Sequence, residues 1–375
     1  MIYFDNSATT FPKPECVYQA LDYANRNLAF NAGRGTYRNA NLALEEITKA
    51  RDAVASIINC DQRDVTFFSS ATEALNIIIN GLDIKEGDNV YISPFEHNAI
   101  IRPLYNLKEK IDFNILVLPF DPTTWKPDLE KINDMFVISS PKAIFMSHVS
   151  NVTGYILPYK EIFFLSKKFY SINVLDAAQS FGVLNPSKDN VDFIVFAGHK
   201  SLYASFGIAG FINLHDYRLA ITKSGGNGSD SLNHHMPDSH YSRYESGSPN
   251  VVAAYALKTS VQWLKENIIN EEEKKLTDYL IKELFLLNNV ILYLPVNHND
   301  IFGIVSINVK GYKPDDVALI LSEEFDICVR SGYHCSPLVH SFIHSDEYGG
   351  TIRISLGAFN TKEEIDELIA ALKTL

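Results

Sequence analysis

The sequence predicts an α/β protein: a mostly parallel sheet with helices on both faces, followed by a smaller α+β C-terminal part. Three observations carry this. From Val65 to Leu214, short β-rich apolar runs alternate with helix-compatible segments, which is the pattern of parallel βαβ units. The alternation stops at a stretch rich in Gly, Ser, Asn and His, Ser224 to Asn250. Beyond it, strands and helices no longer alternate regularly.

In order along the chain, Ile2 to Phe4 is a short strand-like run ending at Asp5-Asn6, and Pro12 and Pro14 punctuate the next stretch. Glu15 to Leu28 reads as a helix. Asn31 to Thr36 is a glycine-bearing loop with one arginine. From Asn41 to about Ile58 the spacing predicts a helix with Leu44, Ile47, Val54 and Ile57 on one face. Val65 to Phe68 is a strand, Ser69 to Thr72 a small hydroxyl-bearing turn, and Glu73 to Ile79 opens a helix. Further strands are expected at Asn89–Ser93, Asn114–Leu118, Ala143–Ser147, Asn173–Leu175, Asp192–Phe196 and Ala209–Leu214, with helical segments such as Tyr159–Phe169 between them. Ser224 to Asn250 shows little periodicity, and a loop that long in a compact enzyme is usually functional or mobile. After it come helices at Val251–Ile268 and Glu271–Leu287, strands at Val290–Tyr293 and Gly303–Val309, and a helix from Pro314 through Leu321. Ile327–Val329 and Thr351–Ser355 are strand-like. Thr361-Lys-Glu-Glu364 is a capping box for a last helix, with Ile365, Leu368, Ile369 and Leu372 as one apolar stripe. The chain is thereby divided into residues 13–250 and 251–375, joined by the N-terminal segment 1–12.

Composition narrows the function classes. The chain has 375 residues, 46% of them hydrophobic, and a formal net charge of -12. That size allows two domains and a large core, and that charge argues against nucleic acid or an anionic membrane surface as a partner. No apolar run reaches the ~18 residues of a membrane span, and MIYFDNSATT lacks the basic and apolar regions of a signal peptide. Cys16, Cys60, Cys328 and Cys335 form no CxxC pair. A cytoplasmic chain with free thiols is expected.

In parallel sheets, sites gather at the carboxyl ends of strands. The apolar run from Val191 ends abruptly in Gly198-His199-Lys200. A lysine that closes a buried strand ordinarily reaches water. It has a chemical use if the chain also supplies what a Schiff base on pyridoxal phosphate needs: an acid for the ring nitrogen, an anion cradle and a flat partner. Asp176 ends the preceding strand, one βα step before Lys200, so parallel topology puts both on one rim; read alone it is more readily a helix N-cap or turn aspartate. Ser69 to Thr72 lies between strand and helix, where free N–H groups and the helix dipole favour an anion. His97, in Pro94-Phe-Glu-His-Asn98, could stack on a ring and assist proton transfer. Asn151 and Gln179 could bond the ring's phenolic oxygen. Cys335 lies in a glycine- and proline-bearing loop where Arg330 and His334 would favour a thiolate. Arg353 could hold a carboxylate in a two-point grip, the ordinary alternative being a surface salt bridge. His234, His235 and His240, and the i,i+4 pair His340 and His344, lack a cysteine or carboxylate at metal-site spacing, so no metal is expected.

YFDNSATT, GRGTY, SSATEALN, EHNAI, HVSNVTG, VLDAAQS, GHK, ESGSPN, RSGYHCSP and RISLG together resemble the class V group of fold-type I pyridoxal-phosphate enzymes, specifically the cysteine desulfurase and selenocysteine lyase branch. The resemblance runs nearly end to end, and its last two stretches are the most specific. It implies a seven-stranded-type sheet and pyridoxal 5'-phosphate as cofactor. It makes Lys200 the lysine of the Schiff base, Asp176 the partner of the ring nitrogen and His97 the stacking ring. Asn151 and Gln179 lie near the ring oxygen. Ala71, Thr72 and His199 belong to the phosphate site, and Ser248 reaches the phosphate of the other subunit of a homodimer. Cys335 takes sulfur from L-cysteine as a persulfide, leaving L-alanine; Arg353 holds the substrate carboxylate; selenocysteine would follow the same path. A sulfur-acceptor protein is then a further partner, with iron–sulfur assembly, tRNA thiolation and selenium metabolism all open. Departures are Ala71 where many relatives have threonine, Ala197 for serine or threonine, Ala204-Ser205 for Gly-Pro, and Ser248 for threonine. Two phosphate hydroxyls are thus absent, with Ser69 and Ser70 as candidate replacements. A class V aminotransferase in which Cys335 is incidental, and a non-catalytic relative, are the alternative readings.

Overall fold

The computed structural model describes residues 1–33, 35–228 and 232–375. Arg34 of the GRGTY motif and part of the Ser224–Asn250 stretch lie outside the described residues. Among the described residues there are thirteen strands: β1 (Ile2–Tyr3), β2 (Val65–Phe68), β3 (Asn89–Ile92), β4 (Asn114–Val117), β5 (Pro141–Ser147), β6 (Ile172–Asp176), β7 (Phe193–Ala197), β8 (Ala209–Asn213), β9 (Val290–Leu292), β10 (Ile304–Val309), β11 (Ile327–Cys328), β12 (Arg330–Gly332) and β13 (Thr351–Ser355).

Seven of these form the large sheet, in the order β2-β8-β7-β6-β5-β3-β4. Strands β3 to β7 are paired in parallel, whereas β8 runs antiparallel to both its neighbours, β7 and β2. Every residue of β6, β7 and β8 is buried, as a sheet covered on both faces requires. The period of two sorts their side chains into two cores. Phe193, Val195 and Phe211 join the helices Ala71–Gly81 and Asn98–Lys108 on one face. Ile194, Phe196 and Ile212 join the helices Arg38–Ile58, Tyr159–Lys167 and Val251–Glu266 on the other.

The small sheet is antiparallel, in the order β12-β13-β10-β9. Contrary to the expectation from sequence, the stretch from Arg330 is not loop throughout. It opens with β12, which pairs with β13 so that Arg330 faces Arg353 in register. A three-residue strand containing Ser and Gly carries no period of its own to read. The opening run pairs in parallel with β11, outside both larger sheets. From there the N-terminal segment bridges Asp5 to Ser355 and then runs to the turn after β7, where the Thr10 amide donates to the His199 carbonyl at 3.1 Å. Among the described residues, no helix is long and apolar enough to cross a membrane.

Candidate active site

Because β2, β5, β6 and β7 run in one direction, their carboxyl ends converge. One cavity there is lined by Ser70, Ala71, Thr72, His97, Ser147, Asn151, Asp176, Gln179, Ala197, His199 and Lys200, among others. Residues up to 130 positions apart in sequence thus face one space.

Lys200 follows β7 in a turn that only glycine can open: a Cβ on Gly198 would stand 2.6 Å from the Ile208 carbonyl oxygen. The N-terminal segment clamps this turn. Thr9 Oγ1 (3.0 Å) and Lys13 Nζ (2.9 Å) donate to the His199 carbonyl, and Thr10 Oγ1 donates to the Lys200 carbonyl at 3.3 Å. Desolvation pulls the Lys200 amine down to about 8, against the charge of Asp176, which holds it up. Asp176 ends β6, beside Val195 of β7 and Ser147 of β5. Burial pushes its carboxyl up, while the Ala178 N–H at 3.0 Å and the Lys200 charge pull it down.

His97 caps the helix Asn98–Lys108, its Nδ1 accepting from the Ala99 amide at 3.0 Å. Burial, then the Lys200 and Arg330 charges, lower it to about 3, so the ring that lines the cavity is neutral. Ala71 and Thr72 begin the helix Ala71–Gly81, where the first amides have no carbonyl below them. Ser70 caps this helix at the Glu73 amide. Ser69 does not line the cavity; its hydroxyl is turned away onto Glu73 Oε2 at 2.5 Å. Of the two replacement hydroxyls expected, only that of Ser70 borders the site. His199 stacks on Phe206, ring centroids 4.4 Å apart, and its buried Nδ1 has no hydrogen-bond partner among the described residues. Gln179 donates from Nε2 to the Ser7 carbonyl at 2.9 Å.

The other expected residues are Arg353, Cys335, Asn151 and Ser248. Arg353, only 1% exposed, is no surface salt bridge: Nη2 meets Asp5 Oδ1 at 2.6 Å and Nη1 the Asn151 carbonyl at 2.9 Å. Its Nε is buried without a partner among the described residues. Cys335 is exposed, with Arg330 Nη2 3.7 Å from its sulfur. His334 does not supply the second cation expected beside it. It is buried against Thr351, and burial with the Arg353 charge drives its pKa well below the usual imidazole range. Asn151 lines the cavity, but its amide bonds the Cys335 loop, with Nδ2 donating to the His334 carbonyl at 2.8 Å and Oδ1 accepting from Ser336 Oγ at 2.6 Å. Ser248 is not in this wall. It lies in a separate groove with Arg51, Phe67 and Glu245.

Sequence reasoning missed Glu96. It is fully buried beneath the cavity, accepting from Ser93 Oγ (2.5 Å) and the Ser147 amide (2.9 Å), and desolvation pushes it up to about 8. Its place beside His97 at a strand's carboxyl end was the available signal. It also missed Asp5 and Ser336, whose partners lie far along the chain. A larger surface groove of about 850 Å³, between the helices Leu129–Ile138 and Tyr159–Lys167, contains none of these residues.

Residues 2–368 match the model of the class-V aminotransferases, and the chain belongs to that family. It is 30% identical to a probable cysteine desulfurase of Pyrococcus abyssi, over 100% of this chain and 94% of that protein. A cysteine desulfurase of Wigglesworthia glossinidia brevipalpis is 31% identical over 99% and 92%. Among solved structures, the apo structure of the cysteine desulfurase from Thermococcus onnurineus NA1 superposes with a TM-score of 0.91 at 28% identity, covering 100% of this chain and 94% of that one. The architecture is the fold-type I arrangement expected from the sequence.

Proposed function

We propose that this chain is a cysteine desulfurase that holds pyridoxal 5'-phosphate in the Lys200 cavity and transfers sulfur from L-cysteine to Cys335. The observation that carries the reading is the conjunction of Lys200 and buried Asp176 in one cavity with an exposed Cys335 whose two flanking residues are hydrogen-bonded to Asn151 of the cavity wall. The residues fit the cofactor. The unpaired Nδ1 of His199 and the open helix start at Ala71 and Thr72 suit a phosphate. The neutral His97 ring suits an aromatic face, and buried Asp176 suits a ring nitrogen that must keep its proton. Bound there, the cofactor would supply the electron sink for the substrate's α-carbon.

The chain's own residues do the rest. At a pKa of about 8, Lys200 has an appreciable neutral fraction near neutral pH and can both bond an aldehyde and carry a proton. Arg353 takes the substrate carboxylate, in exchange for or beside Asp5. Cys335 attacks the substrate's sulfur: an S–S bond forms, the substrate's C–S bond breaks, and the carbon left behind gains a proton. L-Cysteine and one thiol thus become L-alanine and one persulfide, with no outside oxidant or reductant. Ser248 is assigned to the partner's phosphate in a homodimer, and residues 13–250 and 251–375 to two domains.

The test measures alanine and protein-bound persulfide from L-cysteine. Wild type should form both, Lys200→Ala neither, and Cys335→Ala no persulfide. Alanine and sulfide at full rate from Cys335→Ala, without persulfide, would remove Cys335 from the reaction. Wild-type protein without visible cofactor absorbance would overturn the enzyme reading.

A further inference from the structure

The loop that presents Cys335 is docked at three points. The Asn98 amide donates to the Cys335 carbonyl at 2.7 Å. The Asn151 amide then brackets the cysteine on both sides. Its Nδ2 donates to the His334 carbonyl at 2.8 Å, and its Oδ1 accepts from Ser336 Oγ at 2.6 Å. Ser336 is completely buried and Asn151 nearly so.

The orientation of that amide is dictated by chemistry. The His334 carbonyl is an acceptor and needs the NH₂ group opposite it. The Asn151 oxygen then faces Ser336, and only a donor satisfies it there. Ser336 is the residue that supplies one. Removing it leaves a buried carbonyl oxygen unpaired, which costs more than the bond itself contributes. The docking also opposes local strain. His334 and Cys335 both adopt left-handed conformations, at φ +47° and +59°. Two successive non-glycine residues there persist only when their surroundings hold them. Asn151 further accepts Arg353 Nη1 on its main-chain oxygen. One residue therefore joins the carboxylate-binding arginine to both flanks of the thiol.

We propose that Ser336 is a positioning residue for sulfur transfer: through Asn151 it holds the left-handed 334–335 turn, and with it the Cys335 thiol, against the cavity. The proposal rests on the desulfurase reading for its kinetic consequence but not for its structural one.

The experiment compares the holoenzyme with Ser336→Ala and Ser336→Thr. Deuterium exchange is read on peptides covering 96–100 and 333–337. Persulfide formation on Cys335 is followed in a single turnover with L-cysteine. Ser336→Ala should speed exchange in both peptides, because the Asn98 amide loses its fixed acceptor. It should slow persulfide formation roughly tenfold, the equivalent of one hydrogen bond, with KM for L-cysteine within about twofold, since Arg353 keeps its own contacts. Ser336→Thr keeps the donor and should restore both. Unchanged exchange in Ser336→Ala overturns the proposal whatever the activity. Faster exchange with an unchanged rate, or a loss that Thr does not restore, overturns the positioning role. If wild type forms no persulfide, the desulfurase reading fails, while exchange still decides whether Ser336 holds the loop.

Discussion

Glu96 shows how much a single buried group can say. Its carboxyl receives the Ser93 hydroxyl and the Ser147 amide, with Ser147 Oγ 2.9 Å from its second oxygen. Desolvation dominates these bonds and raises its pKa from 4.5 to about 8. The folded chain therefore binds this proton between pH 4.5 and 8, where the unfolded chain has released it. The stabilisation is full below the unfolded value and is lost as pH rises through about 8. Glu96→Gln keeps the shape without the titration. Its urea midpoint should decline less than that of wild type between pH 4.5 and about 8, the window that this shift sets; an identical decline would show that Glu96 does not carry this dependence. Lys200, Asp176 and His97 were legible because each comes after an apolar run that is itself readable. Glu96 stands beside His97 at the same strand's carboxyl end, which marks its position, but residue type alone gives no sign that its carboxyl is buried. Arg353 was legible as a candidate, but its pairing with Asp5 spans 348 positions and no spacing rule reaches that far.

Elements position the site as much as residues do. The turn after β5 carries Asn151 into the cavity and then packs its backbone on the small sheet. Gly154 makes this possible. It adopts φ +71°, and a Cβ there would lie 2.2 Å from the Ile304 carbonyl oxygen. Its own carbonyl accepts the Phe302 amide at 2.9 Å. Gly349 is the control, with φ +80° and open space around the position of a Cβ. Gly349→Ala should cost only the left-handed penalty, about 1–2 kcal/mol. Gly154→Ala should cost clearly more in the same urea titration, because the contact with β10 must also open. Equal losses would mean that the approach of the two backbones is not tight. Periodicity located most strands within one or two residues. It did not reveal that β8 runs against its neighbours, because a five-residue apolar run reads the same in either direction.

At the scale of the molecule, distant parts are tied by a few buried contacts. Arg51, on the helix Arg38–Ile58, makes a two-point pair with Glu245 (2.7 and 2.6 Å) between the rings of Phe67 and Tyr241. Glu245 also accepts the Phe67 amide at 2.6 Å. The Ser248 loop is thereby fastened to β2, the strand that leads into the helix Ala71–Gly81. Glu245→Gln leaves the Arg51 charge buried and unmatched, and should destabilise the chain by about 3 kcal/mol. Because the loop is assigned to the partner's site, it should also raise the cofactor concentration needed for half-saturation, read from visible absorbance. A variant as stable and as saturable as wild type would sink that linkage.

By itself the sequence determined the alternation of strands and helices, and therefore which residues stand at the carboxyl ends of strands. It also determined the side-chain inventory of Lys200, Asp176, His97 and Cys335, since each depends on local order and residue type. Only the tertiary structure decided which groups meet: Arg353 with Asp5, Asn151 with both flanks of Cys335, and the N-terminal segment with the His199 carbonyl. Such contacts are made by side chains and backbone from remote segments once the apolar faces have packed. Hydrophobic burial drives that packing and is non-directional, so pattern alone cannot name the polar partners it brings together.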